Sequence, residues 1–180
     1  NYDYADRTRL EMYFFGWAKS WSDITRSVRD KLILAATTQI RRSAFPSRAP
    51  DALAESLRDA HKKVYDNLRN SIAKLEQIRL RKGGKKSYDI MVAGYFNDMF
   101  KVLGQVYKAM KPGAEFVLVL GDSAPYGVYI PTDEYLGKLS VGIGFSSYKV
   151  EVLRKRGEKW ANNSQRHHMV LKESILTLRR

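Results

Sequence analysis

Residues 111–127 read "KPGAEFVLVLGDSAPYG": a helix stop, an apolar run, then a loop of small and acidic residues. Lys111-Pro112-Gly113 cannot continue a helix, because proline lacks an amide proton and glycine favours a left-handed turn. Phe116-Val117-Leu118-Val119-Leu120 is unbroken and apolar, which suits a strand covered on both faces in a parallel sheet. Gly121-Asp122-Ser123 then falls at the carboxyl end of that strand, the edge where open α/β sheets bind ligands. Such sheets usually carry a glycine-rich turn after their first strand. Nothing upstream of residue 111 supplies one.

Working outward, "ADRTRLEMYFFGWAK" (5–19) predicts a helix with an aromatic surface of Tyr13, Phe14 and Trp17. Ser22 and Asp23 suit a second helix start, followed by Ile24, Val28, Leu32 and Ala35 at helical spacing. Pro46 and Pro50 break the pattern. Leu53, Leu57, Ala60, Val64, Leu68, Ile72, Leu75 and Ile78 then recur every three or four residues. They predict one long amphipathic helix, or two joined with little interruption. "RLRKGGKKS" is a basic loop with two glycines, and Tyr88 to Met110 is helical again. Beyond the 111–127 stretch, Pro131-Thr132-Asp133 opens a short helix that runs to Ile143 and closes at Gly144. "SYKVEVLRKR" (147–156) and "HMVLKESILTLRR" (168–180) predict two strands, joined without a helix and therefore antiparallel neighbours. Helices come first and strands last. That is the tail of an α/β fold, a piece of a larger sheet or one completed by another chain.

The chain has 180 residues, enough for one domain with a core, and a formal charge of +13. That excess favours polyanionic partners. No apolar run approaches the roughly 20 residues of a spanning helix, so no membrane partner is expected and a cytoplasmic location is. With no cysteine, disulfides, thiolate metal sites and thiol nucleophiles are excluded. His167 and His168 point to opposite faces of a strand and His61 is isolated, so no metal site is expected. The opening "NYDYADRTRL" does not read as a signal peptide. Without an initiator methionine, residue 1 is not expected to be the natural start.

The opening "NYDYADRTRLEMYFFGW" (1–17) resembles the segment that directly follows the catalytic Ser/Asp-Pro-Pro-Tyr loop in bacterial amino-methylating DNA methyltransferases. "RKGGKKSYDIMVAGYFNDM" (81–99), "KPGAEFVLVLGDSAPYGVYIPTD" (111–133) and Lys159-Trp160 with Arg166-His167-His168 continue the resemblance in the same order, over nearly the whole chain. The family implies a Rossmann-like α/β sheet of strand order three-two-one-four-five-seven-six, with the seventh strand antiparallel and S-adenosylmethionine across the carboxyl edge of the first half. On this resemblance, residues 115–121 are the fifth strand, 147–156 the sixth and 168–178 the seventh. The chain is then one partial methyltransferase domain (1–180) with a basic helical insertion (41–87) and the late strands and helices of the sheet (88–180). The glycine-rich cofactor turn, the ribose-binding acid and the Pro-Pro-Tyr loop map onto no position here. They are expected before Asn1. No cofactor is therefore expected on this chain alone, although the parent enzyme uses S-adenosylmethionine.

Methylating a base amine in duplex DNA requires extruding the base from the stack. No catalytic residue is expected within the chain. Asn1, Tyr2 and Tyr4 flank the absent loop and either shape the pocket or cap the first helix. Asp122 and Ser123 lie at the ligand edge, where Asp122 either meets a substrate amine or holds the catalytic loop, or both residues cap their own turn. Tyr126 and Tyr129 either stack on a base or pack beneath the loop. Between Arg41 and Asp89 there are 13 Lys and Arg against 6 Asp and Glu. Arg79, Arg81, Lys82, Lys85 and Lys86 around Gly83-Gly84 are expected to meet phosphates. Arg154, Arg156, Lys159, Trp160 and Arg166 form a second basic cluster on the last hairpin, where Trp160 either wedges against a base or plugs the domain underside.

The sequence thus predicts part of a DNA methyltransferase acting on the exocyclic amine of adenine or cytosine, in restriction or epigenetic modification. The rival readings are a non-catalytic nucleic-acid-binding module and a fragment of an RNA methyltransferase. The fifth-strand segment is expected to leave an open edge for the missing first half or a second copy.

Overall fold

The computed structural model describes residues 3–84, 86–156 and 169–180. Three short helices open it: α1 (Tyr4–Arg7), α2 (Arg9–Phe14) and α3 (Trp21–Ser27). The single helix expected over 5–19 is split at Thr8 (φ −102°, ψ 15°), whose hydroxyl donates to the Tyr4 carbonyl. Such local bonding by Thr competes with the helical ladder. The cap of α3 is Ser20, which accepts from the Asp23 amide at 3.1 Å, two residues before the expected start. Because α3 ends at Ser27, Leu32 and Ala35 do not share its face as their spacing predicted.

The long periodic segment is two helices, α4 (Ser56–Ala60) and α5 (Lys62–Arg81). They part at His61, whose extended backbone (φ −161°, ψ 90°) cannot be helical and whose Nδ1 accepts from the Val64 amide as an N-cap. α5 buries Val64, Tyr65, Leu68, Ile72 and Leu75 along one stripe. α6 (Tyr88–Ala109) packs beside it and lies deeper, burying every residue from Asp89 to Gly94 as well as Phe96, Met99 and Leu103.

β1 (Glu115–Gly121), α7 (Thr132–Ile143), β2 (Ser147–Arg156) and β3 (Leu171–Arg179) complete the chain. The sheet order is β1-β3-β2, with β3 antiparallel to both neighbours. β1 and β2 therefore run parallel, separated by the last strand of the chain. β2 and β3 are antiparallel neighbours as the sequence implied, with a bulge between Val152 and Arg154. Close approach of α7 needs small residues: a methyl on Gly137 would strike the Tyr148 ring of β2, and one on Gly142 the Ala60 backbone of α4.

One expectation fails. β1 was read as covered on both faces, yet its burial alternates. Phe116, Leu118 and Leu120 pack on the helical core, while Val117 and Val119 stay 54% and 62% exposed. Among the described residues, helices cover one side of the sheet only, and β3 is the only strand beside β1. Backbone bonds at Ala114–Arg180 and Asp122–Lys172 set the parity of the β1–β3 ladder. By alternation, the backbone groups of Val117 and Val119 face the unpaired edge. An apolar strand, paired antiparallel on one side, is thus left with one open edge and one open face.

Candidate nucleic-acid interface

The loop after β1 is built on Asp122. Its carboxylate is buried, accepting from the Lys172 amide at 2.8 Å (Oδ1) and from the Tyr129 hydroxyl at 2.7 Å (Oδ2). The Asp122 amide donates to the Lys172 carbonyl, so one residue ties the end of β1 to the start of β3. Burial, with that carboxylate accepting a hydrogen bond from it, pushes the Tyr129 hydroxyl far above the usual phenol range and keeps it protonated. Next to it, Lys172 Nζ lies 2.8 Å from Asp133 Oδ2. Burial raises the Asp133 carboxyl, but the Lys172 ammonium, the Ser174 hydroxyl and the Glu134 amide together hold the group below its ordinary 3.8. Ser123 bridges back to Ile130 through backbone bonds of 3.3 and 2.8 Å. The Asp122 carboxylate thus ties the end of β1 to β3 and to Tyr129.

A cavity of about 40 Å³ opens beside this loop, lined by Ala35, Met91, Tyr95, Gly121, Ser123 and Thr132 among others. The one strand-end glycine here, Gly121, precedes a carboxylate already bound by its own fold.

The basic loop comes close to the same loop through Tyr126, which sits in the left-handed region (φ 50°, ψ 26°) that side-chain-bearing residues seldom adopt. Its ring packs edge-on against Tyr88, with centroids 5.0 Å apart, and Lys82 Nζ lies 5.6 Å from the ring centre. The structure thus brings Lys82 and the carboxyl edge of β1 together. Arg79 departs from expectation. It is buried, and its Nε donates to Asp89 Oδ2 at 2.8 Å, joining the end of α5 to the start of α6. A guanidinium held in that pair is no phosphate contact. Gly83 and Gly84 (φ 76° and 78°) close α5, and their amides donate to Leu80 and Arg79 carbonyls. Those amides are thus occupied, and among the described residues the exposed cations of the loop are Arg81, Lys82 and Lys86.

On the last hairpin, Arg154 is exposed and paired with Glu173. The side chain of Arg156 and all of Lys85, Lys159, Trp160 and Arg166 lie outside the described residues, as do Asn1 and Tyr2. Tyr4 is exposed on α1, far along the chain from the β1 loop. Two features were missed from sequence. Asp3 and Arg29 form a partly buried pair, with Thr38 donating to Asp3 at 3.0 Å. Tyr129 closes on Asp122 seven residues away. Neither spacing carries a sequence signal. Leu10, Phe14, Phe15 and Trp17 form an exposed apolar surface, with Phe15 stacked on Trp17 at 5.1 Å.

Compared with known protein families, with curated proteins and with solved structures, the chain finds no match.

Proposed function

We propose that this chain forms the late strands and a DNA-facing helical region of an S-adenosylmethionine-dependent DNA methyltransferase. The parent enzyme methylates the exocyclic amine of adenine or cytosine. One observation carries this reading: the last strand is inserted antiparallel between two parallel strands, in the order β1-β3-β2. That is the fifth-seventh-sixth arrangement which the resemblance of residues 1–17 and 111–133 implies. The open edge of β1, with Val117 and Val119 bare, supports a sheet that continues with further strands, and we assign the cofactor to those strands. The chain itself contributes the DNA-contacting cations and the scaffold behind the loop at Asp122.

The test is duplex DNA binding across a salt series. Arg81, Lys82, Lys85 and Lys86 on four phosphates give a log–log slope of about −3.6. Binding indifferent to salt contradicts the assignment. Calorimetric titration of the isolated chain with S-adenosylmethionine is expected to give no heat, and a measurable heat overturns the division of labour.

A further inference from the structure

The outer face of α5 has an unusual makeup. Lys63, Asn67, Asn70, Lys74, Gln77 and Arg81 are all exposed and recur at alternating spacings of four and three. At 100° per residue they fall within about 40° of one line along the helix. All six are cationic or amide side chains, and none is acidic or apolar. The nearest carboxylate, Asp66, is held by Lys62 at 2.6 Å. Glu76 faces elsewhere, accepting from the Ala49 amide at 2.7 Å. Asn67 leans on Tyr135 of α7. A solvated helix face ordinarily mixes both signs in pairs four residues apart. This one does not.

We propose that the outer face of α5 reads duplex DNA from the major groove, with Asn70, Lys74 and Gln77 at base edges and Lys63 and Arg81 on the flanking phosphates. This deepens the DNA methyltransferase reading and rests on its DNA partner, not on its chemistry. Three facts favour the occupant. The face carries three positive charges and no negative one, which complements phosphate. Its central residues are the types that pair with bases: Asn and Gln bidentate to adenine, Lys to guanine. Its carboxyl end runs into Arg81 and Lys82, the cationic loop already placed against the β1 edge. An α-helix fits a major groove of about 12 Å. Asn70 to Gln77 spans about 10 Å of helix, which covers about three base pairs. The deep, narrow major groove of duplex RNA does not admit a helix.

The experiment selects duplexes from a random pool with the full chain, then measures anisotropy on a selected duplex, a scrambled duplex and duplex RNA of the selected sequence. Asn70→Ala and Gln77→Ala are expected to lower affinity for the selected duplex about tenfold and leave the scrambled one unchanged. Lys63→Ala and Arg81→Ala weaken both duplexes equally, each making the salt slope shallower by about 0.9. These side chains are exposed, so unchanged melting temperatures show that the fold is intact. The proposal is overturned if the wild-type chain shows no sequence preference, if that preference survives both amide substitutions, or if duplex RNA competes equally. A failure confined to α5, with DNA methylation intact in the parent, leaves the enzyme reading standing. Methylation absent with the α5 results as expected removes the enzyme reading alone.

Discussion

α5 and α6 are neighbours of nearly equal length, and they differ in what surrounds them. α6 carries Ile90, Met91, Val92, Ala93, Phe96, Met99 and Leu103 into a core shared with α5, α7 and the sheet. α5 gives that core one stripe and turns Lys63, Asn70, Lys74 and Gln77 outward. A helix buried on most of its circumference is fixed by packing, and its substitutions register as stability. A helix buried on one side is free to present chemistry on the other. The two helices thus separate a packed scaffold from a solvent-facing polar surface.

The sharpest break of that contrast is a pair of truncations. Phe96→Ala in α6 removes a ring that is 1% exposed and is expected to cost about 4 kcal/mol in denaturant unfolding. Gln77→Ala in α5 should stay within about 0.5 kcal/mol. Comparable losses at both sites would deny the division. The buried pair joining the two helices comes next. Asp89→Ala leaves the Arg79 guanidinium without its buried carboxylate and is expected to cost about 3 kcal/mol. Replacing both residues with apolar ones of similar size should recover most of that loss in the same unfolding assay. Gly142→Ala, which drives a methyl onto the Ala60 backbone of α4, is expected to cost about 2 kcal/mol. Read out as melting temperature, a neutral Gly142→Ala would mean that α4 and α7 are looser than drawn.

The smallest effect is one of pH. The Asp133 carboxyl is held below its ordinary 3.8 in the fold, so the unfolded chain binds that proton first as pH falls. Its stabilisation is complete above about pH 4 and disappears as pH drops through the lowered value. Asp133→Asn should therefore lower stability at neutral pH and flatten the acid limb of the stability curve. An unchanged acid limb would separate Asp133 from Lys172.

Much of the scaffold was legible because its boundaries carry local chemistry. Pro112-Gly113, Pro131 and Gly144 punctuate the chain, and the observed bounds of β1, α6, α7 and β2 fall where those residues and the apolar periodicities place them. The exposure of Val117 and Val119 was not legible. An unbroken apolar run looks the same whether one face or both are covered, and coverage is a property of neighbours far away in sequence. Arg79 was misread for a related reason. Among Arg81, Lys82, Lys85 and Lys86 it looks like one more solvated cation, and only the packing of α5 on α6 brings Asp89 within 2.8 Å. Asp122 was correctly placed at the strand end, but its role depended on Tyr129 and on β3, fifty residues on.

The bare edge of β1 and the DNA-facing side of α5 belong to one reading, in which strands beyond this chain supply the cofactor. Labelled methyl transfer tests it most directly. Tritiated S-adenosylmethionine is incubated with the parent protein and duplex DNA, and the digested nucleosides are resolved. Label in N6-methyladenine or N4-methylcytosine is the expected result. Label confined to RNA, or DNA left unlabelled by a folded parent that binds S-adenosylmethionine, would contradict it.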